Sequence, residues 1–412
     1  MPTPARSCRF CNHPLTRTFV DLGMSPLCQT HITTEQLQAM EPFYPLHAYL
    51  CDACLLVQLQ EFVNPDAIFS EYAYFSSYSD SWVEHARRYA EQMCHRFSLG
   101  PASQVIEVAS NDGYLLQHFV ARGIPALGVE PAANVAKAAE RLGIPTLVRF
   151  FGRDTARELA ASHPRPNLLI GNNVLAHVPD LNDFVAGLQI LLEHAGVVTL
   201  EFPHLYRLMQ LNAFDTIYHE HFSYFSFIVA ERIFAAHDLE VFDVEELPTH
   251  GGSLRVYLHH AADRTHAVSP EVAALRARER SDGLDRAETY LAFAEQVKRT
   301  KQLLLEFLIE AKRAHKRIVG YGAPGKGNTL LNYCGIRTDF LDFTVDRNPY
   351  KQGKYTPGTH IPIRAPEDLL AARPDYVLIL PWNLQEEIMQ QLQAIRAWGG
   401  RFVLPIPAVQ VV

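Results

Sequence analysis

The chain has 412 residues, of which 48% are hydrophobic and 20% charged, and its formal net charge is −8. This composition is typical of globular proteins. The chain is longer than the size at which a single hydrophobic core stops growing, so we expect it to divide into two or three domains. The sequence contains no Lys/Arg run that would bind nucleic-acid phosphates, so we expect a small-molecule substrate and no nucleic-acid partner. No apolar stretch approaches the roughly 20 residues that span a bilayer. We therefore expect a cytoplasmic protein without a membrane partner, and we expect no obligate protein partner.

Two Cys-x-x-Cys pairs lie near the N-terminus: Cys8 with Cys11, and Cys51 with Cys54. Each pair can supply two thiolates from a tight turn, and four thiolates suit the tetrahedral geometry of zinc. In a reducing compartment the seven cysteines are not expected to form disulfides. Four protein ligands leave no position for water, so residues 1–80 are predicted to hold a structural zinc ion. Unrelated reduced thiols are the alternative.

An α/β unit is predicted over residues 81–245, where apolar strands alternate with helical segments in the pattern of a doubly wound, Rossmann-like sheet. The first strand, residues 104–109, ends in a small polar turn before a helix, which is where such sheets bind nucleotide-like cofactors. Ala109 and Asn111 stand where a G-x-G-x-x-G turn would have glycines. The turn therefore disfavours NAD and favours a cofactor without phosphates, such as S-adenosylmethionine.

Glu130 lies at the tip of the second strand, residues 126–129, where a carboxylate can accept both hydrogen bonds of a ribose diol. An acid at a helix N-terminus is the alternative interpretation. A third strand, residues 167–171, ends in two asparagines. The candidate cofactor-binding residues are Glu107, Ser110, Asn111, Asp112, Gly113, Glu130, Pro131, Asn172 and Asn173.

Polar and titratable side chains follow one another between aromatic residues at positions 215–225. Histidine titrates near neutral pH, and an adjacent carboxylate can orient it, so this segment can carry proton transfer. A metal site and a solvated helix face are alternatives, although His219 and His221 lack the spacing of H-E-x-x-H. The aromatic residues of segment 71–78 could equally pack in the core.

Residues 246–412 are predicted to form a second Rossmann-like α/β unit after a long helical stretch, residues 270–315. Gly320, Gly322 and Gly325 match G-x-G-x-x-G between a strand and a helix, and Asp346 follows a second strand. Gly327 replaces the Ser or Thr that would bind magnesium in a P-loop. A glycine-rich loop beside Lys326 suits a diphosphate, either of NAD or of a nucleotide-sugar. A purely structural turn is the alternative.

Taken together, these residues resemble the zinc-containing sugar C-methyltransferases, which add a branch methyl, typically at C3 of a nucleotide-linked 4-keto-6-deoxy sugar. The resemblance runs along nearly the whole chain in ordered motifs. They are the paired Cys-x-x-Cys, E-Y-x-Y-x-S-S (71–77), E-x-x-S-N-D-G-Y (107–114), G-x-E-P (128–131), N-x-L-x-H (173–177), Y-x-E-H-F (218–222), H-G-G-S-x-R (250–255) and G-Y-G-A-x-x-K (320–326). Pro324 and Gly325 depart from the small residues expected before the lysine.

The resemblance implies S-adenosylmethionine and structural zinc as cofactors, and a nucleotide-linked keto-sugar as substrate. By position it implies a set of catalytic residues: Tyr72 or Tyr74, His177, Tyr218, Glu220 and His221. It also implies that the nucleotide diphosphate binds to the C-terminal loop, for which we take Gly322, Lys326 and Asn328 as candidates.

The expected chemistry is removal of a proton beside the ketone by His221, oriented by Glu220. Hydrogen-bond donors would stabilise the resulting enolate. Three alternatives stay open on the sequence: an O-methyltransferase for a nucleotide-sugar, an NAD-dependent sugar dehydrogenase or epimerase, and a zinc-stabilised binding protein without enzymatic activity.

Overall fold

A computed structural model describes residues 6–63, 76–78 and 80–412. The strands of this part form three sheets flanked by helices, which confirms the predicted α/β class. Two candidate site residues, Tyr72 and Tyr74, lie outside the described residues. Among the helices that the structure describes, none is long and apolar enough to cross a membrane.

The N-terminal sheet is antiparallel and carries the two Cys-x-x-Cys turns. In spatial order its strands are β1 (Arg17–Ser25), β2 (Tyr44–Leu50), β3 (Val57–Leu59) and β9 (Ser223–Tyr224). The last strand comes from the middle of the chain, where Tyr224 pairs with Val57 and Ser223 with Gln58. The fourth strand of the N-terminal sheet therefore comes from the segment that directly follows the candidate catalytic residues.

The central sheet has five parallel strands and an antiparallel hairpin at one edge. In spatial order its strands are β10 (Leu239–Leu247), β11 (Ser253–His260), β8 (Val197–Pro203), β7 (Leu168–Asn172), β4 (Val105–Val108), β5 (Ala126–Val129) and β6 (Thr146–Leu147). β4 lies between β5 and β7, so the chain first adds β5 and β6 on one side of β4 and then β7 and β8 on the other. This arrangement opens a ligand crevice at its carboxyl end, where the predicted cofactor turn lies.

Helices cover the central sheet. They are α1 (Asp80–Arg96), α2 (Gln117–Val120), α3 (Ala133–Arg141), α4 (Arg153–Ser162), α5 (Leu181–Leu191), α6 (Leu205–Gln210) and α7 (Phe227–Ala235). The boundary that the sequence suggests between residues 245 and 246 falls inside β10. The hairpin of β10 and β11 thus places residues up to His260 in the central sheet.

The C-terminal sheet repeats the parallel design. In spatial order its strands are β14 (Ile363–Arg364), β13 (Thr344–Val345), β12 (Ile318–Tyr321), β15 (Tyr376–Ile379), β16 (Arg401–Leu404) and the antiparallel β17 (Gln410–Val411). Its helices are α11 (Gly325–Cys334), α12 (Pro366–Ala372) and α13 (Gln385–Gln391). The glycine-rich loop follows β12, at the point where the strand order reverses.

The long helical stretch predicted at residues 270–315 is divided in the structure. It consists of α8 (Pro270–Ser281), α9 (Ala287–Leu291) and α10 (Phe293–Arg313). Gly283 has a φ of 83°, a left-handed conformation that ends the first helix. This region packs on the N-terminal sheet: the ring of Phe19 in β1 stacks on Phe293 at 4.9 Å and meets Tyr290 edge-on at 6.4 Å. A continuous core therefore joins the N-terminal and C-terminal parts.

Candidate active site

The four cysteines of the N-terminal module form a compact thiol cluster. Their Sγ atoms all lie within 4.8 Å of one another, and two pairs, Cys8 with Cys54 and Cys11 with Cys51, are 3.5 Å apart. A tetrahedral zinc with Zn–S bonds of about 2.3 Å would place its sulfurs about 3.8 Å apart. The donor set and its spacing therefore fit the predicted structural zinc, and the cysteines are free rather than disulfide-bonded.

The turn after β4 has an unusual backbone that holds it close to the sheet. Ala109, Asn111 and Gly113 adopt positive φ angles of 56°, 50° and 80°. The first two thus take up a conformation that usually favours glycine. At Gly113 a Cβ atom would come within 2.4 Å of the Ile144 side chain. The turn therefore achieves the tight geometry of a cofactor loop with one glycine.

Three carboxyl groups, those of Glu107, Asp112 and Glu130, are buried at this turn. Burial raises the pKa of Glu107 well above its ordinary value, and the charges of Glu130 and Asp112 raise it further. Burial also raises the pKa of Glu130. The two oxygens of Glu130 accept backbone N–H groups of Asn111 (2.9 Å) and Ala132 (2.8 Å). Glu130 thus makes the backbone contacts expected of an acid at a helix N-terminus, which was the alternative interpretation. Its binding of a ribose stays a prediction.

Several polar atoms around the turn are buried without a hydrogen-bond partner among the described residues. They are Glu107 Oε2, Ser110 Oγ, Asp112 Oδ1 and Asn172 Oδ1. Buried polar atoms are costly unless a ligand or water satisfies them, so this set fits a polar cofactor. Two serines of segment 71–78 lie over the turn, since the backbone N–H groups of Ser76 and Ser77 donate to the side chains of Asn111 and Asp112, each at 3.0 Å.

The candidate catalytic residues His177, Tyr218 and His221 lie together. The ring centre of His221 is 4.3 Å from that of Tyr218 and 4.7 Å from that of His177. His177 Nδ1 lies 2.8 Å from the main-chain oxygen of Glu220, and the N–H of Phe222 donates to the oxygen of Ala176 at 2.7 Å. Two segments from different parts of the central domain are thus joined at these residues.

The side chain of Glu220 is buried and contacts a cysteine that the sequence analysis did not single out. Its Oε1 lies 3.8 Å from Cys28 Sγ, and burial raises the pKa of the carboxyl group to about 7. The neighbouring His219 packs edge-on against Tyr44 at 5.9 Å, and burial lowers its pKa. The predicted orientation of His221 by Glu220 stays a prediction.

The glycines of the C-terminal loop allow close packing of protein atoms. A Cβ at Gly322 would lie 2.6 Å from Pro381, and one at Gly325 would lie 2.9 Å from Cys28 Sγ. The side-chain amide of Asn328 is buried and donates to the main-chain oxygen of Cys28 at 2.7 Å. Gly322 and Asn328 therefore join parts of the protein, and of the three candidates for the diphosphate only Lys326 carries a charge.

Asp346, the acidic residue of the dinucleotide interpretation, is held by its own domain. Its carboxylate accepts the N–H groups of Ala323 and Asn348, each at 2.8 Å, and pairs with Lys351 at 3.5 Å. Both oxygens of Asp346 thus already bond to the protein, as those of Glu130 do.

A cavity of about 580 Å³ lies between the central and C-terminal domains. Ser253, which begins β11 opposite the carboxyl end of β8, lines one side, and Trp382 and Asn383, which follow β15, line another. Lys326 reaches this wall: its Nζ donates to Asn383 Oδ1 at 2.8 Å and lies 5.0 Å from the ring centre of Trp382. The cavity thus adjoins the carboxyl ends of strands in both sheets, where α/β proteins bind ligands.

Trp382 also connects this wall to the candidate catalytic segment. Its Nε1 donates to Asp215 Oδ2 at 2.8 Å, and burial raises the pKa of Asp215 to about 6. This contact spans 167 residues. The sequence analysis included Asp215 in its polar segment but gave no signal for the tryptophan.

A buried ionic network lies at the carboxyl end of β8. Glu201 is fully buried and accepts hydrogen bonds from Arg255 (3.1 Å) and Thr249 (3.0 Å), and one of its oxygens lies 3.1 Å from His85 Nε2. The ring of His85 stacks on Trp82 at 4.9 Å. The network fixes α1 and the hairpin to the central sheet, and it explains the arginine of the H-G-G-S-x-R motif.

Three family profiles match successive parts of the chain. A zinc binding domain profile matches residues 8–69, a methyltransferase domain profile matches residues 82–244, and a C-methyltransferase C-terminal domain profile matches residues 248–407. The C-methyltransferase NovU of Streptomyces niveus is 36% identical over 409 residues, which cover 99% of this chain and 97% of the relative.

Solved structures with a likeness to the chain include two methyltransferases. A S-adenosylmethionine-dependent methyltransferase from Clostridium acetobutylicum is 10% identical, with a TM-score of 0.35, over 44% of this chain and 92% of that one. Magnesium protoporphyrin IX methyltransferase from Synechocystis, with bound SAM, is 12% identical, with a TM-score of 0.32, over 43% and 81%.

Proposed function

Because the chain belongs to the family of S-adenosylmethionine-dependent C-methyltransferases with an N-terminal zinc-binding domain, we propose that it methylates a carbon, C3, of a nucleotide-linked 4-keto-6-deoxy sugar. The observation that carries this proposal is the grouping of His177 and Tyr218 around His221, with ring centres within 4.7 Å. A base beside hydrogen-bonding groups is what proton removal next to a ketone requires.

The cofactor binds at the turn after β4. Glu107, Ser110, Asp112 and Asn172 offer it the buried polar atoms that the described residues leave unsatisfied. When bound, S-adenosylmethionine supplies a positively charged sulfonium whose methyl group an enolate carbon can take. Ser76 and Ser77 fix the side chains of Asn111 and Asp112 through their backbone N–H groups. Tyr74 or Tyr72 is proposed as a further catalytic residue.

We assign the base to His221 and separate roles to its neighbours. A main-chain carbonyl only accepts hydrogen bonds, so the His177 nitrogen 2.8 Å from the Glu220 oxygen carries the hydrogen. In the neutral ring the other nitrogen is then an acceptor, which suits a sugar hydroxyl. Tyr218 has a hydroxyl donor and suits the enolate oxygen. Loss of the C–H proton to His221 thus coincides with stabilisation of the developing negative charge.

The cavity at Trp382 and Asn383 supports a nucleotide-linked substrate. Lys326 places a positive charge beside it for a diphosphate. Its volume of about 580 Å³ suits a molecule of this size. Because protein atoms fill the room at Gly322 and Asn328 is bonded to Cys28, we assign the diphosphate contact to Lys326.

The decisive experiment is incubation of the protein with methyl-labelled S-adenosylmethionine and a panel of nucleotide-linked 4-keto sugars. We expect label in a new C–C bond at C3, identified by carbon NMR of the product. Label at a hydroxyl oxygen would contradict the proposal in favour of O-methylation. Absence of label from every sugar of the panel would reject this substrate class.

A further inference from the structure

Arg9 lies between the zinc ligands Cys8 and Cys11, and its side chain reaches far beyond the zinc loop. Nη1 donates to the main-chain oxygen of Pro179 at 2.8 Å, and Nη2 donates to that of Leu59 at 2.6 Å. The guanidinium carbon also lies 4.9 Å from the ring centre of Phe222. One side chain thus contacts the N-terminal sheet and two segments of the central domain.

Both central-domain contacts end beside a candidate catalytic histidine. Pro179 is two residues after His177, and Phe222 directly follows His221. The same segments are tied to each other and to β3, since Phe222 donates its N–H to Ala176 at 2.7 Å and accepts the N–H of Leu59 at 2.9 Å. Arg9 therefore links the two segments that carry His177 and His221, whose ring centres are 4.7 Å apart.

The backbone of Arg9 is fixed from the zinc side. Gln58 accepts the Arg9 N–H at 2.9 Å and donates its amide to Cys8 Sγ at 3.2 Å, so one side chain binds both Arg9 and a zinc ligand. Asn182, in α5, donates to the main-chain oxygen of Arg9 at 3.1 Å. With zinc holding the cysteines on either side, the starting point of the guanidinium is rigid.

We propose that Arg9 is a positioning residue through which the zinc site holds His177 and His221 at the separation that the reaction needs. The inference rests on the proposed function in taking these histidines as catalytic. A guanidinium suits the task because its planar fork donates to two carbonyls while its face lies on an aromatic ring. A lysine ammonium cannot make these three contacts in the same geometry. Arg9 is thus the mechanical link between a metal without open positions and the reacting groups.

The test compares Arg9→Lys and Arg9→Met with the matched control Arg6→Met. Arg6 belongs to the same module, but its guanidinium bonds to the hydroxyl of Tyr49 in β2 and lies 4.7 Å from that ring. These contacts lie within the N-terminal module. We expect both Arg9 variants to keep their zinc and to lose about ten- to a hundredfold in kcat, as misplaced catalytic groups do. KM for S-adenosylmethionine should stay near that of the wild type, as should every parameter of Arg6→Met.

Hydrogen–deuterium exchange gives a readout that needs no substrate. The Arg9 variants should exchange the backbone amides of residues 218–224 faster than the wild type and Arg6→Met. Equal exchange in all four proteins would overturn the inference, and so would faster exchange with an unchanged kcat. If Arg9→Met loses zinc, Arg9→Lys, which keeps the charge, becomes the deciding variant. A wild type that methylates no keto-sugar would reject the proposed function, whereas the exchange data would still decide whether Arg9 holds the segment.

Discussion

Glu220 should change its protonation state near neutral pH, and Glu220→Gln isolates the effect of this change on stability. The residue is 7% exposed, and burial raises the pKa of its carboxyl group from an ordinary 4.5 to about 7. Between these values the native protein keeps a proton that the unfolded chain has released. The free energy of unfolding of the wild type should therefore fall as the pH rises through this window.

The size of the change in the free energy of unfolding follows from the difference between the two pKa values of Glu220. Each pH unit corresponds to about 1.4 kcal/mol, so the interval between 4.5 and about 7 amounts to about 3 kcal/mol, most of which lies between pH 5 and 8. Glutamine has nearly the same shape and does not ionise, so Glu220→Gln should gain about 2 to 3 kcal/mol relative to the wild type over that range.

Urea unfolding at fixed zinc concentration, followed by tryptophan fluorescence at pH 5, 6, 7 and 8, measures this difference. Subtracting the two proteins at each pH cancels contributions that they share, such as protonation of the zinc ligands. Glu158→Gln is a suitable control, because Glu158 pairs with Arg149 at the surface and is about half exposed. Parallel profiles for the wild type and Glu220→Gln would refute the reasoning.

Three further predictions concern the other parts of the protein. His221→Ala should abolish methyl transfer while cofactor affinity in calorimetry stays nearly unchanged; an unaffected rate would rule out His221 as the base. Arg255→Met should lower the free energy of unfolding by about 3 to 5 kcal/mol, because it removes the arginine partner of the fully buried Glu201 and leaves that carboxylate with His85 and Thr249. In the same assay Arg157→Met, at an exposed pair with Asp154, should cost under about 1 kcal/mol, and equal losses would contradict this argument. Cys51→Ser should lose its zinc in metal analysis and unfold at lower temperature, and a variant that retains a full equivalent of zinc would remove Cys51 from the ligand set.

Features encoded over short stretches of the chain could be predicted well. The cysteine spacing indicated the thiol cluster, and apolar runs located strands β4, β5 and β7 of the central sheet to within a few residues. The motif around His221 indicated a segment suited to proton transfer, and that role stays a prediction. Each of these predictions depends on a local rule of geometry or hydrophobicity.

Contacts between distant segments could not be predicted in this way. Cys28 and Glu220 are 192 residues apart, and Arg9 and Pro179 are 170 apart, so no spacing or periodicity relates them. The glycine-rich loop illustrates the same limit. Its pattern indicated that something approaches the backbone closely, but only the folded protein identifies Pro381 and Cys28 as neighbours of those glycines.

The mixed origin of the N-terminal sheet has a consequence for biosynthesis. The pairing edge of β3 is made early, whereas its partner Tyr224 leaves the ribosome much later. During that interval the edge offers open hydrogen-bonding groups, which invite association with other nascent chains. Zinc bound by the two cysteine turns would stabilise the three strands already made until the segment with Tyr224 is synthesised. The supply of metal during translation, rather than metal added to the finished protein, should therefore determine how much of the product avoids aggregation.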